Sequence, residues 1–207
     1  HNSDDSIVNY VIVEFGEMGI EQFDSSTLIT NSIIRWNNAE GLYAERSQPI
    51  FENNLLYGNG YHEIALEQYN DARILNNIFG SEDIEGHFGI ITQKTDAIIE
   101  GNCIMNEIGG IFMEQESDII LRNNQFDNVQ IPLLDNSNIN EDDLQTNNFN
   151  GNNFECPLLN IEDIRNKKLD YTPGDIEDRF PYIYEEEDET RKVINKIGEG
   201  LGFGWTL

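Results

Sequence analysis

Positive charge is what this sequence lacks most. Twelve Lys and Arg stand against 39 Asp and Glu, a formal net charge of −27. Nucleic-acid binding needs Lys and Arg to displace phosphate counterions, so that class is excluded. Docking on an anionic membrane surface is disfavoured for the same reason, and a polyanionic glycan would be repelled unless a cation mediated the contact. Long hydrophobic runs are also missing. None approaches the ~18 apolar residues of a membrane helix, so no membrane insertion is expected. No signal segment is visible and the chain opens at His1 without a Met, which reads as a mature form or an excised domain. Cysteine is limited to Cys103 and Cys156. The absence of a CxxC argues against zinc. Cys103 reads as a small buried residue, and the sequence leaves the pairing of the two cysteines open.

What is present is a repeat. The asparagines Asn9, Asn31, Asn54, Asn77, Asn102 and Asn124 lie 22, 23, 23, 25 and 22 residues apart. Three residues before them stand Ser6, Leu28, Phe51, Ile74, Ile99 and Leu121. Two residues after them stand Val11, Ile33, Leu56, Phe79, Ile104 and Phe126. Later in each unit come Ile20, Leu42, Ile64, Ile90, Ile111 and Ile131. Helical repeats run to 33–47 residues and do not fit this period. The short apolar alternation inside each unit is strand behaviour. Three short strands in about 22 residues make one coil of a solenoid, with equivalent residues stacked at ~4.8 Å. The aliphatic columns then form one core. Asn suits the turn column, because it tolerates left-handed backbone and its amide can bond the amide of the next coil. The chain has 27 Asn to supply such ladders.

The expected fold is all-β: a right-handed, single-stranded parallel β-helix of six to seven coils over residues 1–156, with an irregular acidic tail over 157–207. The coils are Ser6–Thr27, Leu28–Pro49, Ile50–Arg73, Ile74–Ala97, Ile98–Asp118 and Ile119–Asn138. A degraded seventh uses Leu144, Asn147 and Phe149. The segment between the Asn and the third-column aliphatic varies most, and it is longest in coil four, Gly80–Phe88. Variable loops are where function concentrates. In the tail, Pro157, Pro173 and Gly174 interrupt any period, and Glu185–Glu189 is an acidic run that reads as solvated linker. Gly198–Leu207 reads as a cap or as the entry to a further domain of the same polypeptide.

The pairs Asn53-Asn54-Leu55-Leu56 and Asn76-Asn77-Ile78-Phe79, with Gly89-Ile90 and Gly110-Ile111, resemble the parallel β-helix repeats of the pectin-lyase-like superfamily. The resemblance covers residues 6–154. It implies a right-handed helix, an extracellular or cell-surface location and a polysaccharide or glycan partner. If the protein is an enzyme, it implies a polysaccharide lyase or glycoside hydrolase, in some members with calcium. Gly86-His87-Phe88-Gly89 is similar to the Gly-His-Gly element of polygalacturonase-like hydrolases. The paired Asp that should precede it is missing, so that activity is not carried over.

In this superfamily the binding groove runs along the third strand. With the third-column aliphatic pointing in, the next residue points out and so does the third after it. One outward column is Glu21, Tyr43, Ala65, Ile91, Phe112 and Pro132; the other is Phe23, Glu45, Glu67, Gln93, Glu114 and Leu134. Tyr43 and Phe112 are candidates to stack on sugar rings, with Glu114 and Lys94 beside them. Glu45 and Glu67 on consecutive rungs fit the ~5 Å separation of retaining glycosidases. As like charges they also invite a cation, such as calcium, between them. His62 and His87 precede the third strand in consecutive coils and are expected to be neighbours beside Glu67, as acid/base partners. The catalytic candidates are therefore Glu45, Glu67, His62 and His87. The leading reading is a secreted or surface domain that binds a neutral glycan and, if it is an enzyme, processes it. The rival is a non-catalytic spacer of a larger envelope protein, its acidic ladder no more than a solvated face.

Overall fold

The computed structural model describes residues 6–68, 71–114, 116–135, 139 and 141–149, the side chains of 81–86 and of Asp135 aside. They lie within one compact unit, His1–Leu159. The first coil contains β1 (Ser6–Asn9), β2 (Ile12–Glu14) and β3 (Ile20–Phe23); the second β4 (Thr27–Thr30), β5 (Ile33–Arg35) and β6 (Leu42–Glu45); the third β7 (Ile50–Glu52), β8 (Leu55–Tyr57) and β9 (Ile64–Glu67). In the fourth, β10 (Asp71–Leu75) is followed by one long strand, β11 (Ile78–Gln93). In the fifth, β12 (Asp96–Glu100) is followed by β13 (Cys103–Met113). The sixth has β14 (Asp118–Arg122), β15 (Gln125–Asp127) and β16 (Ile131–Asp135), and a helical turn α1 (Glu141–Leu144) ends the series.

All pairings between these strands are parallel. They build three faces of six rungs each, about five turns from the first rung to the last. Among the described residues the expected seventh coil is only begun. Asn147 extends the asparagine ladder, Phe149 stacks on Phe126 at 5.1 Å, and α1 stands beside β14. The tail readings, including Glu185–Glu189 and Gly198–Leu207, lie outside the described residues, as does Cys156. Cys103 is buried, as expected, and is not a free thiol.

The aliphatic columns exist, with corrections at the ends. The first runs Val8, Ile29, Phe51, Ile74, Ile99, Leu121. The second runs Val13, Ile34, Leu56, Phe79, Ile104, Phe126. The expected Leu28 and Ile33 are one residue out of register, and Ser6 and Val11 are two. A one-residue slip turns a side chain to the other face. Leu28 and Ile33 are accordingly half-buried while Ile29 and Ile34 are fully buried. The cause is that coils one and two lack an Asn-Asn pair at this corner. Asn31 aligns with Asn53, and Ser32 takes the place of Asn54. In the third column Leu133 replaces Ile131, which pairs with Gly109 and is 42% exposed. Leu133 lies nine residues after Asn124, as Ile111 does after Asn102, so equal corner lengths set the register.

At this corner the pairs Asn53-Asn54, Asn76-Asn77 and Asn123-Asn124 divide two tasks. The first residue turns the corner with positive φ, as at Asn53 (56°), Asn76 (53°) and Asn123 (56°). The second, fully buried, builds the ladder. Asn77 Oδ1 accepts from the Asn54 backbone N–H at 2.9 Å and from its Nδ2 at 3.1 Å. Asn77 Nδ2 donates to Phe51 O at 2.9 Å and to Asn102 Oδ1 at 3.1 Å. Asn102 and Asn124 repeat the pattern. Corner amides that no strand could satisfy are thereby paired inside the core. A shorter ladder, Asn37 to Asn59 to the buried Glu63, serves the second corner of the early coils. Ser47 and Ser117 serve the third corner. The segment Gly80–Phe88, expected as a loop, is instead strand. It pairs with β13 through register shifts between Gly80 and Glu85 and between Glu85 and Phe88.

Candidate functional site

The outward columns of the third face are as expected through coil five. Phe23 pairs with Glu45, Glu45 with Glu67, and Glu67 with Gln93. Glu21 pairs with Tyr43, Tyr43 with Ala65, Ala65 with Ile91, and Ile91 with Phe112. In coil six the register change puts Leu134 beside Phe112. Leu134 therefore leaves the column in which it was expected and displaces Pro132 from the other.

Tyr43, Glu45 and Glu67 are brought together. The Tyr43 hydroxyl lies 2.9 Å from Glu67 Oε2 and 3.3 Å from Glu45 Oε2, a donor shared between two carboxylates. Burial, then the hydrogen bond to Glu67 and the charges of Glu67 and Glu45, push the Tyr43 phenol above its ordinary value of 10. Arg46, at the adjoining corner, bonds Glu45 and forks onto Asp24 at 2.9 and 3.1 Å. Those bonds hold Asp24 below its usual carboxylate range and raise Arg46. Phe23, 48% exposed, leans on Tyr43 at 5.7 Å. Two rungs on, Gln93 Nε2 donates to Glu114 Oε2 at 2.6 Å. Lys94 occupies the corner rather than the face, with φ 51°, and reaches Glu116 at 3.7 Å.

The histidines are neighbours, at 6.3 Å between ring centres, but not beside Glu67. They stand before the start of β9, and Glu67 ends it, three residues past Ile64, about 10 Å at the rise of a strand. Tyr61 lies on both rings, 4.0 Å from His62 and 5.2 Å from His87. The Phe88 N–H donates to His62 Nδ1 at 3.2 Å, which leaves the imidazole proton on Nε2. Burial and the nearby His87 lower His62 to about 4. Phe88 stacks at 5.5 Å on Phe112 and lies against Gly109, where a Cβ would collide with its ring. Sequence reasoning placed the two histidines in consecutive coils but missed Tyr61 and Phe88, whose role depends on the corner's path. It also missed the aromatic pair Phe15 and Trp36 at the second corner, 5.7 Å apart, with the Arg35 guanidinium 4.0 Å over the indole. Their shared spacing of 21 residues was the available signal.

Among the described residues no three His, Cys, Asp or Glu side chains converge as a metal site would require, and no helix is long and apolar enough to cross a membrane. A family model described as a right-handed β-helix region matches residues 18–159. The chain belongs to the right-handed β-helix family. This accords with the resemblance to the pectin-lyase-like superfamily noted from its repeats. Comparison with curated proteins and with solved structures found no match. Membership in the β-helix family identifies the scaffold; the chemistry has to be argued from the side chains the scaffold displays.

Proposed function

We propose that this β-helix domain binds a neutral carbohydrate along its third face, in an extracellular or cell-surface setting. The observation that carries the reading is the Tyr43–Glu45–Glu67 cluster. A phenol and two carboxylates are locked by mutual hydrogen bonds on consecutive rungs, flanked by the exposed ring of Phe23. From there a polar column of Glu45, Glu67, Gln93 and Glu114 runs beside Tyr43, Ile91 and Phe112. Acceptors next to an apolar strip suit a ligand with hydroxyl edges and C–H faces. The disulfide at Cys103 suits an oxidising compartment. Binding is favoured over hydrolysis because Arg46 and Tyr43 engage the two Glu45 oxygens and Tyr43 also bonds Glu67 Oε2, oxygens that acid/base work would need free. Calcium at the pair would have to displace the same donors.

The test is binding of a panel of neutral and acidic oligosaccharides to the intact chain and to Glu67→Gln and Tyr43→Phe, with and without calcium. Saturable binding of a neutral glycan, weakened at least tenfold in both variants, is the expected result. Polyanionic glycans such as heparin should fail without a divalent cation. No binding by the intact chain, together with greater thermal stability of Glu67→Gln, would replace this reading with the spacer.

A further inference from the structure

Among the described residues, coil one is an open end of the solenoid. β1, β2 and β3 each have a single strand neighbour, β4, β5 and β6 respectively. The backbone bonds at the corners, such as Tyr10 N–H to Thr30 O and Phe15 N–H to Trp36 O, also run to coil two. The core columns end here as well. Val8, Val13 and Ile20 are only half-buried, whereas Ile29, Ile34 and Leu42 one rung on are fully buried. Gln22 points inward beside Ala44 and is 5% exposed, yet its Oε1 has no hydrogen-bond partner among the described residues. A buried acceptor of this kind calls for a donor, and an unpaired edge is a template for an added strand.

The corners of this end carry a cost that the solenoid does not need. Tyr10 (φ 54°), Phe15 (62°) and Trp36 (53°) hold left-handed backbone, which bulky side chains rarely adopt. Further along, the same two corners use asparagine or glycine, as at Asn53, Gly58, Asn106 and Asn123. The core does not require these rings, since Tyr10 is 74% exposed and Trp36 41%. Local strain persists where another contact depends on it, and exposed aromatics are what protein interfaces bury. Tyr10 precedes β2 and Phe15 follows it, with Trp36 stacked on Phe15 at 5.7 Å. Charge specifies the partner. From Ser6 to Thr27 the coil has Glu14, Glu17, Glu21 and Asp24 and no Lys or Arg, in a chain of net charge −27.

We propose that the open end of coil one is a docking edge for an extended, basic segment of a partner protein. The segment adds as a strand along β2, packs on Tyr10 and on the Phe15–Trp36 stack, and turns Lys or Arg towards the acidic rim. A second copy of this chain does not fit, because two such acidic ends would repel. The proposal uses the end of the solenoid and no property of the third face, so it stands or falls apart from carbohydrate binding.

The test uses the full chain carrying Trp205→Phe, so that Trp36 is its one tryptophan. The probes are hexapeptides that alternate Arg with Val, Thr with Val, or Glu with Val. The expected result is a saturable change in Trp36 fluorescence with the Arg-Val peptide, at least tenfold weaker with the other two. Hydrogen exchange at the β2 amides should slow in the same complex. The double variant Phe15→Asn, Trp36→Asn leaves the charge unchanged and installs the residue that Asn106 and Asn128 supply at this corner. It should keep its urea midpoint and lose at least tenfold in affinity by calorimetry. Undiminished affinity would mean that net charge alone holds the peptide, and would overturn the proposal. A lowered urea midpoint would make the aromatics structural and overturn it too, as would equal binding of the Thr-Val peptide or a dimer of the chain itself in gel filtration.

Discussion

Replacing Asn77 by Ala isolates what one rung of the buried ladder contributes. The side chain is fully buried and makes four hydrogen bonds, two donated to it by Asn54 and two it donates to Phe51 O and Asn102 Oδ1. At a net ~1 kcal/mol each, their loss costs about 4 kcal/mol. The Asn54 backbone N–H is left buried without its acceptor, so the true value lies above a simple sum of weak bonds. Domains of this size are stable by only about 5–15 kcal/mol, so the variant should fold marginally. Asn31→Gly is the control. Asn31 sits in the exposed turn column at φ 49° and bonds only Asn9 across rungs by its side chain, at 3.1 Å. Glycine accepts that backbone conformation, so the change should cost well under 1 kcal/mol. Urea unfolding at constant m-value measures both. A loss below 1 kcal/mol for Asn77→Ala, or equal losses for the two variants, would refute the division of tasks within the Asn-Asn pair.

Ile104→Asp places a charge in the fully buried second column, and loss of the whole β-sheet circular dichroism signal is expected, because each coil buries its face only on its neighbours. His62 is held neutral, to about 4, below its ordinary 6.5. The unfolded chain therefore binds the extra proton first, and stability should fall as pH drops from 6.5 towards 4; His62→Gln should remove that part of the slope in urea midpoints. Tyr43 is raised instead, so the stability it confers is intact below pH 10 and is lost as pH rises through its folded value. Ultraviolet titration should show one late tyrosine that disappears in Tyr43→Phe. Gly109→Ala should displace Phe88 from its seat and expose the His62 corner, seen as faster exchange of the Phe88 amide.

The period of about 22 residues, with Asn and three aliphatics at fixed offsets, was enough to determine a stack of parallel coils. Only a stacked solenoid puts such residues in register with themselves, and the Phe51, Ile74, Ile99 and Leu121 positions follow at once. The sequence also determined which residues face outward on the third strand of coils one to five, because alternation along a strand is local. Register at the ends was not local. Ser32 for Asn and Leu133 for Ile131 were decided by corner lengths and by which side chain could accept the neighbouring rung's amide. The split of the site into a Tyr43–Glu45–Glu67 cluster and a separate histidine corner was likewise invisible, since Glu45 and Glu67 end β6 and β9 while His62 stands before β9 begins, and only the course of the chain through the corner separates them. The buried outer strip of Leu55, Ile78 and Cys103 reads in sequence as ordinary strand residues. Burial on the outer side of a sheet is a tertiary property, which no local period encodes.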